Sequence, residues 1–226
     1  MSNAEQHLEH LAEMRSLMER STRFLSLSGL SGVWAGLCAL FGAAYHRMVT
    51  EAEYLNQYAD ILVEKSEKAS RDGFEVALIS TALTVLIAAL AGGWFFTARK
   101  ARQRGERVWD ASSRRLLWAL ALPLITGGIF CLALLYWRLV GLLAPATLVF
   151  YGLALFNGSK YTLRDVGSLG LLEIALGLSG MFVPGYGLEL WAIGFGVLHI
   201  LYGAWMYVKY DGGLLDLRRW TCARGN

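Results

Sequence analysis

The chain has 226 residues, 55% of them hydrophobic and three of them proline, with a mean hydropathy of +0.41. This excludes a disordered or collagen-like polymer and points away from an ordinary soluble domain, because so much apolar surface needs lipid as its sink. The formal net charge of +3 is no nucleic-acid signal, since most of the basic residues flank apolar stretches on one side of a membrane.

Residues 1–23 are mostly polar and precede the first apolar run, so the order of a cleavable signal peptide is absent and the first span is expected to be retained. Leu8, Leu11, Met14, Leu17 and Met18 recur close to helical spacing among charges. They predict an amphipathic helix that lies on the membrane surface, meets a protein partner or a second copy, or simply extends span 1.

Span 1 is predicted over 24–45, a length that rises about 33 Å as a helix, against a hydrocarbon core of about 30 Å. Ser28, Gly32 and Gly36 step by four along it, a strip of small residues suited to close helix contact within the chain or between copies. Residues 46–73 turn polar, with Tyr54, Leu55, Tyr58, Ile61 and Leu62 at helical spacing, and predict a short helical segment on the outer surface. Span 2 covers 74–97 and carries another small-residue strip, Ser80, Thr84, Ala88 and Gly92.

A basic loop, 98–115, contains Arg99-Lys100-Ala101-Arg102-Gln103-Arg104. It serves as a topology signal and offers charge to anionic lipid headgroups. Span 3, 116–137, holds Pro123, which cannot donate to the carbonyl of Ala119 and should kink or loosen the helix there. Span 4, 139–156, follows almost at once, so spans 3 and 4 form a tight antiparallel hairpin. After a polar connection come span 5 over 167–183, a turn at Pro184-Gly185-Tyr186-Gly187, and span 6 over 188–208, read as a second hairpin. Residues 211–226 form the tail.

The fold class is therefore all-α: a polytopic six-helix transmembrane bundle with an N-terminal amphipathic helix. With an even number of spans both termini share a side, and that side carries sixteen Lys and Arg residues against five opposite. The bias places both termini in the cytoplasm. Cys38, Cys131 and Cys222 show no CxxC and no zinc spacing, and read as reduced and structural. No cofactor, metal or nucleic-acid partner is expected; His46 and His199 cannot share one ion, because one lies at the outer surface and the other deep in the membrane.

Glu173 and His199 are the two most costly side chains in the apolar regions. A carboxylate facing lipid would cost several kcal/mol, so Glu173 must be neutral, paired or facing a cavity. Counted from the turn, the two residues lie about 16 Å and 21 Å along their helices, one helical turn apart. Gly170, Gly177 and Gly180 flank Glu173, Gly196 and Gly203 flank His199, and Tyr202 lies beside His199. The expectation is that Glu173 and His199 point into one interior and bind a small solute or relay a proton, with Tyr202 nearby. The rival reading is a structural hydrogen bond between hairpins.

The run Phe150-Tyr151-Gly152-Leu153-Ala154-Leu155-Phe156-Asn157 through Lys160-Tyr161-Thr162, followed by Tyr186-Gly187 and Gly196-Val197-Leu198-His199, resembles a group of uncharacterised bacterial inner-membrane proteins over the last four spans. The resemblance implies a multi-pass protein of a bacterial inner membrane and brings no activity, cofactor or catalytic residue. Two function classes remain, a small transporter or ligand-binding protein and a non-catalytic scaffold or sensor acting through partners. An enzyme ranks third, because no catalytic set is present. A polar cavity at Glu173 and His199 distinguishes the first class from the second.

Overall fold

The computed structural model describes residues 28–61, 67–105, 109, 111–183 and 185–211, and the side chains of most of these. The expected N-terminal helix, the tail and Cys222 lie outside the described residues. Among the described residues every regular element is helical: α1 (Gly29–Ile61), α2 (Glu67–Arg104), α3 (Ala111–Tyr136), α4 (Leu143–Gly158), α5 (Asp165–Phe182), α6 (Gly187–Trp191) and α7 (His199–Met206). A π-helical stretch, Ala192–Leu198, joins α6 to α7 without a break. Five helical runs are long and apolar enough to cross a membrane: Val76–Gln103, Ala111–Tyr136, Val140–Tyr161, Asp165–Phe182 and Gly187–Tyr210. Helices are the solution lipid demands, because each backbone group is satisfied inside its own segment.

Helical structure also covers most of 46–73, as the continuation of α1 to Ile61 and the beginning of α2 at Glu67. The polar residues end an apolar stretch, while α1 runs on through the first of them to Ile61.

The described residues fall into two compact units. The first comprises 97–183. In it α3 and α4 form the expected antiparallel hairpin, and α5 turns back onto α4. The α3–α4 turn is tight because Arg138 takes a left-handed conformation, φ 58°. That geometry lets Arg138 N–H donate to Leu135 O and Leu139 N–H to Leu134 O, at 3.0 and 2.8 Å. Two carbonyls left over at the end of α3 are thereby satisfied, the 6→1 and 5→2 pattern that usually employs glycine.

α5 lies on α4 through glycines. A Cβ at Gly170 would stand 2.7 Å from Gly152 O, and one at Gly177 would stand 2.7 Å from Pro145 O. Backbone therefore meets backbone, the arrangement small residues permit between membrane helices. Pro145, Ala146, Leu148 and Ala154 of α4, with Leu169 of α5, complete this buried seam.

The second unit comprises 28–96 and 185–211. Its core is α1 crossing the α6–α7 run in antiparallel order. A Cβ at Gly36 would stand 2.6 Å from Gly196 O, and one at Gly32 would stand 3.1 Å from Gly203 Cα. The small-residue strip of span 1 is thus used within the chain. Arg47 and Glu189 close the far end of this crossing with an ion pair at 3.2 Å, which as an exposed pair contributes about 0–1 kcal/mol. On α2, the strip containing Ala88 and Gly92 receives a side chain: the Trp34 indole lies over Gly92 and donates Nε1–H to Ala88 O at 2.9 Å.

Candidate functional site

α5 presents one buried face, on which Val166, Gly170, Glu173, Gly177 and Gly180 follow one another at helical spacing. Glu173 is at its centre and has 0% of its surface exposed. Its glycine neighbours explain how a carboxyl is held there. With no side chains at Gly170 and Gly177, α4 closes over the seam above and below it. Tyr151, a half-buried residue of α4 next to Gly152, lies within electrostatic reach of Glu173. A carboxyl and a phenol on adjoining helices are thus two ionisable groups beside a glycine-lined seam. Such groups are expensive inside a membrane and are commonly retained for function.

His199 is buried in the second unit, at the first residue of α7. Its ring Nδ1 donates to Gly194 O at 3.0 Å, because a carbonyl oxygen can only accept. The backbone N–H of His199 goes to Gly196 O, so the ring serves the Gly194 carbonyl where the π-helical ladder departs from regular spacing. Phe195 stacks on the imidazole, centroids 5.9 Å apart and planes 16° from parallel. Trp191 packs against Phe195 in turn, at 5.1 Å. π-helical stretches of this kind are frequent at functional sites. Tyr202 follows His199 by three residues and is half-buried.

Glu173 belongs to the first unit, and His199 and Tyr202 belong to the second. The glycines flanking each find partners inside their own unit: α4 for Gly170 and Gly177, and α1 for Gly203 and Gly196. Span 5 builds its seam with span 4, and span 6 builds its seam with span 1. Sequence reasoning did not single out Tyr151. Its position next to the helix-contacting Gly152 was the available signal. Phe195, four residues before His199, was legible in the same way.

A separate polar cleft of about 540 Å³ opens at one end of the first unit, lined by Arg114, Arg115, Trp118, Ala119, Asn157 and Tyr161 among others. Among the described residues no cluster of three His, Cys, Asp or Glu side chains is placed to hold a metal ion.

The chain matches no known protein family, no curated protein and no solved structure.

Proposed function

We propose that this is a six-span bacterial inner-membrane protein with both termini in the cytoplasm, and that Glu173 is the working group of a solute- or proton-linked interior site. The observation that carries the reading is a fully buried carboxyl at the centre of a membrane-length helix, within electrostatic reach of Tyr151. A buried acid of this kind is costly to keep and easily replaced by an apolar residue if its only task is packing. His199, its Nδ1 committed to a backbone carbonyl, supplies a second candidate in the other unit, with Tyr202 beside it in sequence. The sixth span is the first in the chain, whose helix is described from Gly29 onward. The orientation rests on the sixteen-to-five distribution of basic residues.

A second reading is supported by the same seam. The close approach of Gly152 to Gly170 leaves little space beside Glu173, as expected if the carboxyl locks α4 to α5 in a scaffold that works through protein partners. Proteoliposomes holding a pH-sensitive dye separate the two. Under imposed gradients of small solutes, wild type moves protons or solute and Glu173→Gln does not. No flux from either protein favours the scaffold, and equal fluxes from both remove Glu173 from the transport site.

A further inference from the structure

The cleft at the end of the first unit has a chemistry that the Glu173 reading does not use. Arg114 and Arg115 stand on its α3 wall and Asn157 and Tyr161 on the other, while Trp118 forms its rim. Its volume, about 540 Å³, falls within the range of about 300–1,000 Å³ typical of small-ligand sites. Among the described residues no carboxylate pairs with Arg114 or Arg115. Two guanidinium groups in one cleft match the oxygens of a phosphate, because each presents a planar fork of N–H donors. Lys160 adds a third cation at the edge, its Nζ donating to Asn157 Oδ1 at 3.4 Å.

The rest of α3 indicates where such a phosphate would come from. From the rim, Trp118, Leu122, Ile125 and Ile129 run along one side of the helix and are all exposed. Their spacing of four, three and four residues keeps them in line. Trp118 is 74% exposed, as an interfacial tryptophan at headgroup depth is. A polar cleft at the end of a membrane-length helix with an apolar track leading from it accommodates a phosphate joined to acyl chains better than a free one. We infer that the Arg114–Arg115 cleft binds the headgroup of an anionic phospholipid, with an acyl chain lying along the Trp118–Ile129 track. The inference is independent of Glu173 and of the orientation of the chain.

The test uses the full-length protein in neutral detergent and reads Tm against added dihexanoyl phosphatidylglycerol, dihexanoyl phosphatidylcholine, glycerol 3-phosphate and inorganic phosphate. Phosphatidylglycerol is expected to raise Tm, and the other three to have little effect. Arg114→Gln/Arg115→Gln should need about thirtyfold more phosphatidylglycerol for half the effect, the loss of two basic contacts. Arg47→Gln/Arg138→Gln removes the same charge from exposed positions outside the basic loop and the cleft lining and should respond as wild type does. An equal loss in that control, an equal response to either soluble phosphate, or no response in wild type would overturn the inference. Should the double glutamine variant not fold, Arg114→Lys/Arg115→Lys takes its place: a weakened response supports the guanidinium site and an unchanged one contradicts it.

Discussion

Asn157 donates its side-chain Nδ2–H to the backbone carbonyl of Ala119 at 2.8 Å, and Ala119 is the residue whose carbonyl Pro123 leaves without its helical donor. α3 remains continuous through Pro123. The missing intrahelical bond is supplied from α4 across the hairpin. Asn157→Ala should destabilise the protein by about 1–3 kcal/mol, the cost of an unsatisfied buried carbonyl. The check is a double-mutant cycle in detergent. In a Pro123→Ala background, where the residue-123 N–H returns to Ala119, the cost of Asn157→Ala should shrink. An undiminished cost would mean that Asn157 acts through other contacts.

The glycines of the α4–α5 seam should tolerate nothing larger. Gly170→Ala and Gly177→Ala place a methyl against a carbonyl oxygen of the facing helix and should each cost about 1–3 kcal/mol through overpacking. Gly93 and Gly128 meet nothing where a Cβ would stand, so alanine there should stabilise by up to about 1 kcal/mol through helix propensity. Thermal denaturation of the four variants gives the comparison, and similar Tm values for both pairs would contradict the packing described.

Arg138 occupies a left-handed position that a side chain disfavours. Arg138→Gly should keep the hairpin and raise stability by roughly 0.5–1 kcal/mol, because glycine adopts this φ without steric cost. A fall in Tm would show that the Arg138 side chain contributes more than the strain removes.

Much of this architecture is legible in the sequence because lipid allows so few solutions. Apolar length located five helical runs able to cross a membrane, and the short link after Trp137 required the α3–α4 hairpin. Pro123 announced an orphan carbonyl at Ala119. That Asn157 answers it was hidden, because the partner is distant in sequence and read as the start of a polar connection. The glycine strips announced close approach without naming the partner: Gly32 and Gly36 meet Gly203 and Gly196, while Gly170 and Gly177 meet α4. Backbone-to-backbone contact carries no side-chain signature by which one strip could select another. The polar composition of 46–73 marked the edge of an apolar stretch, but helix continuity depends on backbone bonds that polar residues also make, and α1 runs on to Ile61. The π-helical stretch before His199 left no periodic trace. For the candidate site, the cost of Glu173 and His199 in lipid was plain from residue type. Tyr151 became a candidate only when the register of α4 on α5 was known.

The claim that Glu173 is a working group is tested most directly by ligand-dependent thermal stability. Detergent-purified wild type, Glu173→Gln, Tyr151→Phe and His199→Ala are compared against a library of small solutes across about pH 5 to 8. A ligand at a hundred times its Kd stabilises the folded state by about 2.7 kcal/mol, a shift easily read as Tm. We expect a solute that raises the Tm of wild type and loses its effect in Glu173→Gln, while that variant without solute melts close to wild type. A Glu173→Gln protein that responds to every stabilising solute as wild type does would contradict the account and leave the carboxyl a structural lock between α4 and α5.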